Sequence, residues 1–412
     1  MTLEPDVDPD AIGLDPARLG RLERHLDRYI ASGRLVGTLT VIARGGRVGY
    51  LRAQGRRDAS RPVTSDTIWR IYSMTKPITS VAALMLCEEG SLSLLDPVSD
   101  HLPAFGDARV LRFGPAERPR TVPAQEPMRV WHLLTHTAGL TYGFMARDAV
   151  DAAYRATFGA RAESDGTLSE FCDRLATLPL VFEPGSAWNY SHATDVLGRV
   201  VEVVSGVSLE RFVRERITEP LGMPGTGFAI GEDEADRLAD LYAADPSTGL
   251  AMPAPERDGP RTVPRAFHSG GGGLVSTARD YLRFLEMLRR GGALDGARLL
   301  SPATVARMTA NHLPGGVDIP TFAYPSRLSE EFPGRGFGLG VATLDDPVKA
   351  RTIGSRGEYS WGGAAGTEFW LDPARDLTVL FFTQVLGAPD EHRLRRELRW
   401  LVYQALTETP AM

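Results

Sequence analysis

The two ends of this 412-residue chain mirror one another, and that symmetry constrains the fold more than any other feature. Pro16 to Ser32 sets Leu19, Leu22, Leu26 and Ile30 at helical spacing. Two β-rich runs follow, Thr38–Ala43 and Val48–Leu51, around Gly45–Gly46, a hairpin signal. At the far end Thr367–Leu371 and Leu377–Thr383 flank Asp372–Asp376, a turn by composition, and a helical pattern runs from Glu391 to Thr407. Between these ends Ser80–Cys87, Met128–Leu134, Leu168–Leu178, Ala193–Val204 and Leu209–Ile217 favour helix. Strand signals there are sparse, and Phe113–Pro127 and Ala251–Pro264 read as Pro/Gly-rich loops. The expectation is an α/β fold whose sheet uses both termini, flanked by helices, with a mainly α-helical domain inserted. Residues 1–75 and 266–412 would form the first domain and 76–265 the second, with an active site between them.

Composition narrows the function classes. With 43% hydrophobic and 24% charged residues the chain has enough apolar mass for a large core, which excludes disorder as the main state. A net charge of −6 advertises no nucleic-acid partner, and no apolar run approaches the roughly 20 residues of a membrane span. Cys87 and Cys172 are too few for a disulfide framework, and Met1–Asp10 carries three Asp and one Glu with no apolar stretch of a secretory signal. A reduced, cytoplasmic enzyme is expected. Among the 46 basic residues only Lys76 and Lys349 are lysine. Lysine can give up its proton where arginine cannot, so Lys76, three residues after Ser73, stands out.

Arg70–Pro77 precedes an apolar run, Ile78 and Val81 through Cys87, closed by Gly90, the pattern of a buried helix. Proline is tolerated only in a helix's opening turn, so Pro77 puts Ser73 at the N-terminal tip. Residues three apart share a helix face, so the Ser73 hydroxyl and the Lys76 amine can meet. A serine nucleophile needs a base, and a lysine kept neutral by burial and a positive helix end can serve. The same helix end favours an oxyanion. Competing signatures are missing: no serine has glycine at both −2 and +2, and neither lysine sits in a Walker A pattern. Gly270–Gly273 reads as a tight turn before a helix rather than a phosphate loop. His132 and His136 lack an intervening glutamate and read as structural or substrate-side residues rather than metal ligands.

Taken in order, these residues resemble the penicillin-recognising serine hydrolases: class C β-lactamases, D-alanyl-D-alanine peptidases and, closest of the three, family VIII carboxylesterases. Ser73-x-x-Lys76 resembles the first motif, and Leu133–Leu140 (LLTHTAGL) a stretch typical of the superfamily. Phe182–Gly185 with Trp188–His192 resembles the region of the Tyr-x-Asn motif, and Pro220–Met223 and Gly272–Thr277 complete the set. The resemblance implies a β-lactamase/transpeptidase-like fold with Tyr190 as second base beside Ser73 and Lys76. It also implies an oxyanion hole from the N–H groups of Ser73 and Ala364. Two departures steer the activity. His192 stands where the third motif residue would be asparagine, and Ser360-Trp361-Gly362-Gly363-Ala364 lacks the cation that would hold a substrate carboxylate. Trp361 offers an apolar wall instead, and Gly362 and Gly363 would let the strand backbone approach substrate.

The resemblance therefore implies a serine carboxylesterase acting on small or short-acyl esters through a covalent acyl-enzyme, with no metal and no cofactor. Tyr142, His192, Trp361, Gly362 and Gly363 are the expected substrate contacts. Tyr142–Asp165 and Leu313–Arg335 are expected as long loops lining the pocket. A β-lactamase or peptidase-like amide hydrolase, an acyltransferase and a non-catalytic ligand-binding relative are the alternatives.

Overall fold

Both ends of the chain feed one sheet. The computed structural model describes residues 2–114, 119–145, 148–159, 166–259 and 261–407. Asp15 starts the first helix, α1 (Pro16–Ala31), by accepting from the amides of Ala17 and Arg18, with Pro16 in the opening turn where no amide is needed. Strands β1 (Gly37–Arg44) and β2 (Arg47–Gly55) form the N-terminal hairpin. From the C-terminal part come β3 (Arg335–Phe337), β4 (Ala342–Leu344), β5 (Glu358–Gly362), β6 (Glu368–Asp372) and β7 (Leu377–Phe382). The order across the sheet is β3-β4-β5-β6-β7-β1-β2, antiparallel throughout, and β7 pairs with β1 from Leu39 opposite Phe382 to Arg44 opposite Leu377.

Alternation along the strands sends side chains to two cores. Ile42, Trp370, Val379 and Phe381 pack with Leu19, Leu22 and Leu26 of α1 and with Leu394, Leu398 and Val402 of the last helix (Glu391–Tyr403). Val41, Phe369, Leu371, Leu380 and Phe382 face the opposite side, against the helices of the middle of the chain. Three of those helices matter below: α2 (Thr75–Glu88), α3 (Ala193–Ser205) and α4 (Ala278–Arg289), so the terminal helix is α5. Every residue of α2 from Thr75 to Leu86 is buried, as its all-round apolar pattern predicts.

Several expected loops have more structure than their composition suggested. Phe113–Pro127 contributes to a hairpin of Arg109–Phe113 with Arg120–Pro123, its residues 115–118 lying outside those described. Tyr142–Asp165 holds a helix, Ala149–Phe158, capped by the Asp148 side chain; residues 146, 147 and 160–165 of that segment are outside the described ones. Leu313–Arg335 folds into two short helices, Ile319–Phe322 and Arg327–Glu330. Polar cap residues, which favour turns and helix starts alike, account for the misreading. Among the described residues no helix is long and apolar enough to cross a membrane.

Candidate active site

The turn carrying Ser73 is held from three sides. The strand Ile68–Arg70 pairs with Val275–Thr277, and Gln384 clamps Arg70, accepting from its N–H and donating to its carbonyl, both at 3.1 Å. Ile71 N–H then donates to the Leu274 carbonyl at 3.2 Å, and the Tyr281 hydroxyl of α4 donates to the Met74 carbonyl at 2.8 Å. Between these anchors Tyr72 adopts φ 43°, a left-handed conformation rare for a bulky residue. It costs of the order of 1–3 kcal/mol and persists only because its surroundings over-determine it. Ser73 follows in a single 3-10 turn, Tyr72–Met74, that runs straight into α2.

Lys76 is fully buried and makes three hydrogen bonds: to Ser73 Oγ at 3.1 Å, the Tyr142 hydroxyl at 3.2 Å and the Gly271 carbonyl at 2.6 Å. All three partners are uncharged. Burial, with Tyr190 and Asp195 nearby, holds the Tyr142 phenol well above its usual range, so it stays protonated. The Tyr190 hydroxyl donates to Ser73 Oγ at 2.6 Å, and the Lys76 amine lies over the Tyr190 ring, 4.6 Å from its centre. Lys349, in contrast, is half-exposed and pairs with Asp318 at 2.9 Å.

Two stretches singled out in the sequence fold against each other to aim Tyr190. Gly185 N–H donates to the Thr137 carbonyl at 2.7 Å, and Asn189 N–H to the His136 carbonyl at 2.8 Å. The Asn189 side chain closes the join, donating to the Leu140 carbonyl at 2.8 Å. Helical spacing does not bring His132 and His136 onto one face, because the helix ends at Leu134 and His136 takes φ 56°. Burial and the nearby Arg129 push His132 down to about 4. A histidine held neutral in the fold contributes fully above its unfolded value near 6.5 and loses that contribution as pH falls towards the folded value. Stability is therefore expected to drop by about 3 kcal/mol between pH 6.5 and 4, with buried His136 adding in the same direction. Urea titrations of wild type and His132→Gln across this range check it, the variant showing the shallower acid limb.

Ser73 opens into a cleft of about 920 Å³. Tyr142, Tyr190, Trp361, Gly362, Gly363 and Ala364 line it, as do Phe144, Phe332 and Arg335. Trp361 is also a packing residue, its ring 5.4 Å from Tyr190 and 5.9 Å from Phe332. His192 departs from expectation: it is 2% exposed, does not line the cleft, and lies behind Tyr142 with its ring 4.2 Å away. Its Nδ1 bonds Asp195 at 2.8 Å, and aromatic neighbours enclose the rest of the ring.

Asp195 is the residue that spacing missed. It is buried in the first turn of α3, where it accepts from Ser269 Oγ at 2.6 Å and from Gly271 N–H at 2.9 Å. It thereby anchors Gly271 on its N–H side, while the carbonyl on the other side of the same residue receives the Lys76 amine. Burial favours the neutral acid, but bonds from His192 and Ser269 outweigh it and hold the carboxyl below its usual range. The glycine run therefore serves a protein carboxylate and not a phosphate. The one signal in the sequence is an acidic residue in the first turn of a mainly apolar helix, between Thr194 and Val196.

The family model for Beta-lactamase matches residues 22–404. This chain belongs to the β-lactamase family. Among curated relatives of this family member, Protein Rv1367c of Mycobacterium tuberculosis is 38% identical over 360 residues, 86% of each chain. Esterase EstB of Burkholderia gladioli is 37% identical over 421 residues, covering 96% of this chain and 98% of its own. Among solved structures, EstCE1, a hydrolase with promiscuous acyltransferase activity, superposes with a TM-score of 0.77 at 32% identity, over 94% of this chain and 99% of that one. This β-lactamase-family chain is an enzyme, a serine hydrolase, and its β-lactamase/transpeptidase-like fold is the one the sequence motifs implied.

Proposed function

We propose that this enzyme is a carboxylesterase that cleaves small or short-acyl esters through an acyl-enzyme on Ser73. The observation that carries the reading is the convergence of Lys76 Nζ and the Tyr190 hydroxyl on Ser73 Oγ, at 3.1 and 2.6 Å. Ser73 Oγ attacks the ester carbonyl as its proton passes to Lys76, and the N–H groups of Ser73 and Ala364 receive the oxyanion. Tyr190 gives its proton to the departing alkoxide and is reprotonated by Lys76. Water then reverses the sequence: the Tyr190/Lys76 pair takes its proton, hydroxide attacks the acyl carbon, and Ser73 leaves with a proton restored. Trp361, Gly362, Gly363 and Tyr142 form the substrate walls in this reading. His192 acts only from behind Tyr142.

The esterase EstB relative and an apolar wall at Trp361 in place of a cation support esters over β-lactams. The same proposal includes a cytoplasmic setting, drawn from the cysteine usage, and a site between an α/β part (1–75, 266–412) and a helical part (76–265). Incubation with a fluorophosphonate should give one adduct per chain, mapped by mass spectrometry to Ser73. Hydrolysis of p-nitrophenyl acetate should exceed that of nitrocefin. Adduct on another residue, or preferential lactam cleavage, would overturn the reading. Acyl transfer to an alcohol is the second reading, favoured by the acyltransferase activity stated for EstCE1. Transesterified product with an added acceptor alcohol would establish it.

A further inference from the structure

The glycines after Trp361 leave room for the protein, not only for a substrate. A Cβ at Gly363 would fall 2.4 Å from the Ile71 carbonyl oxygen, so this peptide lies directly against the turn that carries Ser73. A Cβ at Gly362 would fall 2.5 Å from Arg395 Nη1 and 2.8 Å from its Cζ: the guanidinium lies flat on the strand at this point. Arg395 belongs to the first turns of α5, where Glu391, four residues earlier, holds it at 2.6 Å. Its Nη2 donates to the Gly363 and Thr367 carbonyls, both at 3.3 Å. The turn closes on itself as well, Gly363 N–H reaching the Thr367 carbonyl at 2.8 Å and Gly366 N–H the Gly363 carbonyl at 3.0 Å.

The Gly363 carbonyl and the Ala364 N–H are the two ends of one planar, trans peptide unit, and they point in opposite directions. A cation bonded to the oxygen fixes the plane and draws electron density from the nitrogen, which makes the N–H a better donor. Ala364 is exposed at the cleft, and its N–H has no hydrogen-bond partner among the described residues.

We propose that Arg395 is a positioning residue for the oxyanion hole: by holding the Gly363 carbonyl it orients and polarises the Ala364 N–H that receives the oxyanion. This rests on the esterase reading above. Because the N–H is needed most when negative charge develops on the substrate oxygen, loss of Arg395 acts on the transition state more than on the bound ester. Removing an oxyanion donor outright costs roughly 10²–10³-fold in kcat. Disordering one through its far end is expected to cost about 10- to 100-fold.

Two variants test this: Arg395→Gln, and Arg395→Gln with Glu391→Gln, which removes both charges together. Expected for each folded variant is a kcat on p-nitrophenyl acetate lowered about 10- to 100-fold with KM within about threefold of wild type. A boronic acid, which forms a tetrahedral adduct on the serine, should lose affinity by a factor close to that in kcat. A folded variant with wild-type kcat and unchanged boronate affinity overturns the proposal. So does failure of both variants to fold, which would make Arg395 a structural residue. Absence of a Ser73 adduct in the wild-type enzyme brings down the esterase reading itself. A normal adduct together with an unaffected Arg395 variant brings down this inference alone.

Discussion

Replacing Ser73 with alanine is expected to abolish ester turnover, by about 10⁴- to 10⁶-fold in kcat, while leaving the thermal midpoint close to wild type. The side chain is small, half-buried and at the end of its two contacts, so little packing is lost. Tyr190→Phe keeps the ring packed against Trp361 and removes only the hydroxyl. It should cost about 10²- to 10⁴-fold, the usual range for a proton-transfer group. Because the two act as a unit, the double variant should be no slower than Ser73→Ala alone. Stopped-flow assays on p-nitrophenyl acetate with thermal melts alongside check all three. Turnover by Ser73→Ala at the wild-type rate would end the assignment of the nucleophile. Lys76→Met is a poorer probe, since it also strands the Gly271 carbonyl and the Tyr142 hydroxyl in the interior.

Asp258→Ala is expected to destabilise the fold by about 3–5 kcal/mol, the largest effect foreseen outside the site. Asp258 is 1% exposed at its side chain and meets three arginines: Arg70 at 2.5 Å, Arg261 at 2.9 Å and Arg265 at 3.0 Å. Arg70 ends the strand that leads to Ser73 and also bonds the Ala239 carbonyl at 2.7 Å; Arg261 bonds the Gly273 carbonyl at 2.7 Å. Removing the carboxylate leaves Arg70 buried without the counter-charge it meets at 2.5 Å, and that uncompensated charge dominates the cost. Since the same arginines brace the Ser73 turn and the glycine run, activity should fall below the folded fraction. Urea denaturation with kcat measured on the folded protein checks both. A loss under 1 kcal/mol would show that water or a backbone shift takes over the role of Asp258.

Ala251–Pro264 read as a plain loop because its composition is that of a loop, and nothing local marks Asp258 as the centre of a buried ionic hub. His192 was expected at the substrate from its place in a motif. It lies instead behind Tyr142, because α3 begins at Ala193 and Asp195 draws the imidazole inward. Asp195, Asp258 and Arg395 all act on backbone groups or charges many residues away in the chain. No periodicity reports such pairs.

By itself the sequence determined what short-range geometry determines: hairpins at both ends, a buried helix opened by Pro77, and a serine three residues from a lysine. Those features depend on contacts within a few residues, where backbone sterics and helical spacing leave little choice. Only the tertiary structure decided what surrounds them: the uncharged partners of Lys76, the carboxylate that fixes Gly271, and the guanidinium beneath Gly363. These depend on which distant surfaces pack together once the two cores form, and burial makes each of those polar partners obligatory.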